Sequence, residues 1–600
     1  MCGILGAFNP GGLDIGPLVA GLNDLHHRGP DAQSYLVQED RKLFLGHVRL
    51  KIIDISDVAN QPMVSPCGRY TLIFNGEIYN FHELRAEIGD RWQWRTRSDT
   101  EVLLAAWTLW GSKGLGKLVG MFSFAVYDAQ TQTLTLVRDR FGIKPLYLVN
   151  SGCRWVFSSE IPPLLRFLPH VEPDNSTIRT YLEYGIYDHG PKTFFAGVEA
   201  VQSGCLIEID LRTYSEKRHR WYCLAEHIPD LSEATERELL DRAEALVLQA
   251  VKSNLVADVE VGLNVSGGVD SSVLTRVAVV ELGHVHLFTQ DYPGYSEVPW
   301  VREIAAGGTL HIQELEFADI DRLLHPVMNI QAEPYGGVTV CGYDAVYAAA
   351  SAQGVTVLLD GNGVDEVFLG YSRYHENWVW STAEAKEQER RAADYRAFWG
   401  RSPSVPTSPL GVAIDGSLST CPEAISAALL KQAPLHELPT VTDFECPIKN
   451  LAATDLLYTK IPRGLRFNDR MSMAHSRELR VPFLDHRLVE FAYGVPTNLL
   501  LGRNGSKALF RKLAERHMPA SIAFSPKRSV QSPQREWMAT GWRKRIDAML
   551  DSPHFVERGW INPNVARTAW QRYLGGARDN SFYLWQWLNL ELWAQEFLDG

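Results

Sequence analysis

A chain of 600 residues, 45% hydrophobic and 22% charged, has the make-up of a soluble globular protein of roughly two to four domains, large enough to bury an active site. Its formal net charge of −12 argues against a general nucleic-acid surface. No stretch approaches the roughly 18 uninterrupted apolar residues of a membrane helix, and MCGILGAFNP lacks the basic start of a secretory signal, so a cytosolic protein acting on small molecules is expected.

The chain opens on Cys2. If Met1 is removed, the thiol stands beside a free α-amine with an ordinary pKa of about 8, which can serve as its base. The cysteines at 67, 153, 205, 223, 341, 421 and 446 form no CxxC pair, so neither a disulfide framework nor a structural metal is indicated.

Up to about residue 160, FLGHVRLKIIDI, RYTLIFNGEIYN, MFSFAVYDAQTQTLTLVRD and RWVFSSE are β-rich runs bounded by Gly, Asn and Asp. They predict packed antiparallel sheets, with a hairpin turning through the polar residues 128–133. The texture changes between about 205 and 230. TERELLDRAEALVLQAVKSNL then predicts a helix that opens on a Thr235–Glu238 capping box and buries Leu239, Ala243, Leu246 and Ala250. EVGLNV, HLFTQ and VTVLLDG alternate with helical stretches, the pattern of a parallel sheet covered by helices. SFYLWQWLNLELWAQEF reads as a buried helix, and residues 375–445 as a surface insertion.

The strongest motif is VGLNVSGGVDSSVLTRVA, an apolar strand, then Ser266, Gly267, Gly268, Val269, Asp270, Ser271 and Ser272, then an apolar helix. Two glycines allow close backbone approach, the serines supply hydroxyls, and the helix N-terminus offers unpaired N–H groups to a phosphate. The loop lacks the lysine of GxxxxGK[ST] and is not GxGxxG. It resembles the pyrophosphate-binding loop of the ATP-pyrophosphatase superfamily, which implies cleavage of ATP between its α and β phosphates with magnesium offsetting the leaving-group charge. Asp270 suits that ion, and VTVLLDGNGVDEVFLGY offers Asp360, Asp365 and Glu366 on a second loop.

Over most of its length the chain resembles the glutamine-hydrolysing (class II) asparagine synthetases. MCGILG, HHRGPD, GHVRL, QPM, FNGEIYN, SDTE, GMFSFAVYD and RDRFGIKPLY occur in that family's order, followed by SGGVDSS, DGNGVDEVFLGY, NDRMSMAHSRELRVPFLDHR and SPKRS. The resemblance implies an α+β N-terminal-nucleophile glutaminase over 1–210, an αββα sandwich of antiparallel sheets. It implies an α/β ATP-pyrophosphatase domain with a parallel sheet and a helical C-terminal part over 235–600, and a homodimer. Carried over position by position, it makes Cys2 the nucleophile, Arg49 the partner of the glutamine carboxylate, and Asn75 with Gly76 the oxyanion hole. Glu77 and Asp99 become partners of the substrate's ammonium and polar groups. Val265 precedes the phosphate loop where the family has leucine, Asp270 and Asp365 become magnesium ligands, Gly361 lies against the nucleotide, and Lys527 stabilises the transition state at the α-phosphate. Arg470, Arg480 and Asp485 are read either as site residues or as residues that organise the domain. Ammonia is then expected to pass from one site to the other through a tunnel.

One loop departs from the pattern. The family's SGEGxDE reads DGNGVDE here, so Asp360 replaces serine and Asn362, an amide that cannot act as a base at neutral pH, replaces the glutamate that handles ammonia. Either Glu366 or another acid takes over, or the step needs only orientation, or the acceptor is not aspartate. The leading expectation is conversion of L-glutamine, ATP and L-aspartate to asparagine, glutamate, AMP and pyrophosphate. The alternative keeps the architecture but amidates another carboxylate, such as a sugar acid or a natural-product intermediate; a cyclase of the β-lactam synthetase type fits less well, because Cys2, Arg49, Asn75 and Asp99 are intact.

Overall fold

The computed structural model describes residues 2–38, 40, 42–405, 419–526, 532–576 and 580–599. Lys527, expected at the α-phosphate, lies outside them.

The N-terminal part consists of two six-stranded antiparallel sheets. The first has Gly3–Phe8 between Arg154–Ser158 and Leu43–Arg49; the second has Tyr70–Ile78 beside Gly120–Asp128. Their facing surfaces interdigitate through Ile4, Phe8 and Leu45 on one side and Ile73, Leu136 and Ile207 on the other. Helix Ile15–Asp24 covers the outer face of the first sheet, and helices Phe81–Ile88 and Asp99–Trp110 cover that of the second. Gly3–Phe8 is buried at every position, so it shows the continuous apolar run of a two-sided core strand rather than alternation. The predicted hairpin pairs Asp128 with Thr133. The last strand of this sheet, Ser215–Arg220, pairs with Cys205–Asp210.

Helix Glu236–Asn254 opens on the predicted capping box: the Glu238 N–H donates to Thr235 Oγ1 at 3.3 Å and the Thr235 N–H to Glu238 Oε2 at 2.9 Å. Its buried stripe is Leu239, Ala243, Val247 and Ala250, with Leu246 only half-buried, because position i+4 from Ala243 is Val247. A five-stranded parallel sheet follows, ordered Gly308–Glu314, Val285–Asp291, Val261–Asn264, Val357–Leu359, Glu478–Arg480. The chain runs from Val261–Asn264 toward one edge and returns beside it for the other half. The loops after the two neighbouring strands therefore open into the crevice at the reversal of strand order, the usual ligand position in such sheets. Helix Phe582–Phe597 is almost wholly buried, as predicted. Within 375–445, helix Ala385–Trp399 folds back on helix Ser372–Trp380 around a small cluster of Val379, Ala392 and Tyr395; residues 406–418 lie outside the described ones.

The two halves meet along a seam of buried ion pairs. Arg28 Nη1 donates to Glu160 Oε1 at 2.6 Å and to Asp469 Oδ2 at 2.9 Å, Arg470 Nη1 stands 3.3 Å from Glu160 Oε2, and Arg466 Nε donates to Asp188 at 2.8 Å. Lys144 reaches the Leu479 carbonyl at 3.2 Å, and its position is set by Asp139, which gathers the N–H groups of Phe141, Ile143 and Lys144 in RDRFGIKPLY. Replacing one partner of such a pair strands the others without compensation. Arg28→Met is expected to cost about 3–5 kcal/mol. Lys51→Met, which breaks a pair with exposed Asp57, should leave the midpoint of thermal unfolding close to wild type, and thermal unfolding of the two variants beside the wild type checks the contrast.

Candidate functional site

Cys2 precedes a strand of the first sheet, Arg49 ends its neighbour, and Asn75, Gly76 and Glu77 lie on Tyr70–Ile78 of the second sheet. The main-chain nitrogen of Cys2, which becomes the α-amine once Met1 is removed, donates to Asn75 Oδ1 at 3.2 Å. Arg28 Nε donates to the Cys2 carbonyl at 3.1 Å, so a residue of the ion-pair seam also holds the backbone of Cys2. Burial pushes the Cys2 thiol up, with Arg49 pulling it down.

Asn75 is fully buried, and its Nδ2 has no partner among the described residues. A buried amide donor left unpaired costs about 1–3 kcal/mol unless something accepts from it, which suits an oxyanion formed beside Cys2. At Gly76, φ is 154° and a Cβ would lie 2.1 Å from the Met121 carbonyl, so only glycine lets this strand approach its neighbour. Arg49 is held by backbone carbonyls and one side-chain amide: Nη1 donates to the Ser56 carbonyl at 2.7 Å and to Asn60 Oδ1 at 2.8 Å, and Nη2 to the Asp54 carbonyl. Asp99 opens helix Asp99–Trp110 and accepts the Ile78 N–H at 3.0 Å; burial raises its carboxyl to about 6. Burial, then Glu478 and Asp99, also push Glu77 well up, against the pull of Arg480.

The second centre is a cavity of about 430 Å³ at the crevice of the parallel sheet. Ser266, Gly268, Asp270 and Ser271 line it from the first loop. Asp360, Gly361, Asn362, Asp365 and Glu366 line it from the second. The Ser271 hydroxyl lies 2.9 Å from both the Ser266 hydroxyl and carbonyl, and Ser272 Oγ donates to the Gly268 carbonyl at 2.8 Å, so these hydroxyls brace the loop. Gly267 packs on Trp300, where a Cβ would come within 2.8 Å of the Trp300 Cβ, and Val265 is tied to the Phe288 carbonyl at 2.9 Å. Gly267 and Ser272 do not line the cavity; they shape the turn behind it. Helix Val269–Leu282 has no side-chain cap, which leaves its first N–H groups for a ligand.

Lys507, not singled out in the sequence, lies between the two predicted magnesium acids. Its Nζ reaches Asp270 Oδ2 at 2.6 Å and Asp365 Oδ1 at 2.8 Å. The close approach depends on Gly370 of EVFLGY, where a Cβ would fall 1.9 Å from Asp365 Oδ1 and 2.2 Å from Lys507 Cε. The only hint in sequence is a lysine between Gly505–Ser506 and the apolar helix Ala508–Glu515, which reads as surface until the fold buries it. The two carboxylates thus share one cation at contact distance, a geometry that fits a magnesium ion taking its other ligands from a triphosphate. No group of three or more His, Cys, Asp or Glu side chains poised to hold a metal occurs among the described residues.

Glu366 is buried and accepts a hydrogen bond from the Tyr371 hydroxyl at 2.7 Å; burial and then Asp365 raise its carboxyl while Lys460 lowers it. Asp360 accepts the Asn362 N–H at 2.9 Å, and burial lifts its carboxyl to about 6. Of the three signature-block residues, Asp485 caps helix His486–Gly494 and pairs with Arg487 at 2.6 Å, and Arg470 belongs to the seam; both organise the structure. Arg480 reaches from the parallel sheet to Glu77 at 3.6 Å.

Residues 1–222 match the family described as a glutamine amidotransferase domain, and residues 242–595 match asparagine synthase. The chain belongs to the asparagine synthase family. It is 28% identical over 635 residues to the glutamine-hydrolyzing asparagine synthetase 1 of Bacillus subtilis, covering 99% of this chain and 96% of that protein. It is 28% identical over 566 residues to asparagine synthetase 3 of the same organism, with 88% and 86% covered. It is 25% identical over 640 residues to the amidase chry2 of Gibberella zeae, with 95% and 94% covered.

In the glutaminase centre of this family member, Asn75→Ala is expected to lower glutamate release from glutamine by ~10²–10³-fold while the protein stays folded, checked by steady-state kinetics beside circular dichroism. Because burial raises Asp99 and Glu77, both carboxylates are ionised only above the elevated range. The glutamine KM should therefore climb as pH falls through about 6, where an exposed aspartate remains charged. A glutamine KM that stays flat on acidification would remove these acids as partners of the ammonium group.

Proposed function

We propose that the protein is an ATP-dependent glutamine amidotransferase that makes asparagine from aspartate. The observation that carries this reading is the pairing, in one chain, of Cys2 beside an unpaired buried amide donor with a crevice whose two acid-bearing loops converge on one cation.

At the first centre the Cys2 thiolate attacks the side-chain amide of glutamine. Asn75 Nδ2 and the Gly76 N–H take up the developing oxyanion, and ammonia leaves as a thioester forms that water then hydrolyses. By resemblance, Arg49 would pair with the substrate carboxylate, and Glu77 and Asp99 with its ammonium. At the second centre the acceptor's carboxylate attacks the α-phosphorus of ATP and pyrophosphate departs; ammonia then displaces AMP from the acyl-adenylate. The N–H groups of Gly268 and the start of helix Val269–Leu282, uncapped by any side chain, would bind phosphate oxygens, with Lys507 supplying positive charge beside them. Lys527 is assigned to the α-phosphate by resemblance alone. Asp270 and Asp365 would hold magnesium, which would neutralise charge on the pyrophosphate.

A second acceptor class is favoured by one feature. Asn362 lines the cavity where the family pattern has a glutamate, and a relative of near-equal length is named an amidase rather than an asparagine synthetase. Among the described residues no helix is long and apolar enough to cross a membrane, in keeping with small-molecule partners.

Pyrophosphate release with ATP, magnesium and glutamine is expected to depend on L-aspartate and to yield asparagine, identified by mass. Glutamate production without aspartate-dependent pyrophosphate would move the acceptor to another carboxylic acid. Cys2→Ala should abolish glutamine-driven synthesis and leave ammonia-driven synthesis intact; equal loss of both would break the assignment of separate centres.

A further inference from the structure

Arg480 sits on the edge strand of the parallel sheet, wholly buried. Its backbone carbonyl accepts the Asp360 N–H at 2.9 Å, while its side chain points away from the nucleotide loop. Nε donates to Glu478 Oε1 at 2.6 Å, and Nη1 donates to the carbonyls of Asn254 and Val256 at 2.7 Å each. Nη2 stands 3.6 Å from Glu77 Oε1, and the guanidinium lies 5.6 Å from the centre of the Tyr79 ring. Glu77 is on the strand that carries Asn75 and Gly76, close enough to Cys2 for its charge to push the thiol up. Its other oxygen, Oε2, is buried without a partner among the described residues. One oxygen of this carboxylate therefore faces a cation from the other domain and the second is uncommitted.

We propose that Arg480 is a positioning residue of the glutamine site, aiming the Glu77 carboxylate at the substrate's ammonium from across the domain boundary. The proposal rests on the reading that Cys2 hydrolyses glutamine. Without the guanidinium, Glu77, buried beside Glu478 and Asp99, would lose the larger of the two cations that favour its charged form, and its carboxyl would be pushed further up. Lysine cannot substitute, because one ammonium cannot satisfy Glu478, two carbonyls and Glu77 from a single fork.

The test uses the full-length protein, with glutaminase kinetics and ammonia-driven pyrophosphate release measured side by side. Arg480→Lys is expected to raise the glutamine KM by about tenfold or more, the equivalent of one pK unit at Glu77, with ammonia-driven release within about twofold of wild type. Glu478→Gln removes a negative charge that disfavours ionised Glu77 and leaves Glu77 its cation, so its glutamine KM should not rise. Should Arg480→Lys unfold, Arg480→Gln, which keeps an amide donor for the Asn254 and Val256 carbonyls and leaves Glu478 in place, is expected to show the same raised glutamine KM. An unchanged glutamine KM in R480K or R480Q, or ammonia-driven release falling in parallel with it, overturns the proposal. A wild-type protein that releases no glutamate from glutamine overturns instead the reading beneath it.

Discussion

The structure depends on the requirement that charge buried between its two halves be paired. Arg28, Lys144, Arg466, Arg470 and Arg480 are all buried, and each finds an acid or a carbonyl contributed from the other half. An unpaired buried ion costs several kcal/mol, so a docking that misaligned the halves would strand several at once. The seam therefore contributes orientation rather than raw stability. Because Arg28 also holds the Cys2 carbonyl, and helix Ile461–Ala474 carries both Asp469 of the seam and residues lining the nucleotide cavity, the relative placement of the two centres follows from the same contacts.

Within each half, close backbone approach does what side chains cannot. Gly76 lets the strand bearing Asn75 lie against Met121, Gly267 lets the SGGVD loop fold onto Trp300, and Gly370 lets Lys507 enter between Asp270 and Asp365. In each case a Cβ would fall inside 3 Å of another atom, so the motifs FNGE, SGGVD and VFLGY carry glycine for space as much as for backbone freedom. The acids between these glycines are left to meet cations: Lys507 in this structure, and a metal with phosphate in the proposed reaction.

The second loop is where the family pattern and this chain part. Asp360 commits one oxygen to the Asn362 N–H, and Glu366 is bonded to Tyr371, so the acids nearest Asn362 are engaged in bracing the loop. The chemistry at that wall of the cavity depends on how an amide at 362 and a raised carboxyl at 360 receive the acceptor.

Much of this architecture is legible in the order of residues alone. Runs of β-formers bounded by Gly, Asn and Asp mark the antiparallel strands, the Thr235–Glu238 box marks a helix start, and the ordered motifs point to Cys2, Asn75 and the SGGVDSS loop, because local patterns encode local geometry. The strand Glu478–Arg480 is not legible in this way: three residues, two of them charged, give no hydrophobic signal, and only pairing with Val357–Leu359 makes them a strand. The roles of Lys507 and Arg480 are hidden for the same reason, since sequence cannot tell a buried charge from a solvated one until its partner is known. The sequence by itself determined the two domains' fold types and the residues that bear the chemistry. Tertiary structure alone decided which distant charges meet, because pairing of Arg28 with Asp469, Arg480 with Glu77 and Lys507 with Asp270 spans hundreds of residues and depends on burial.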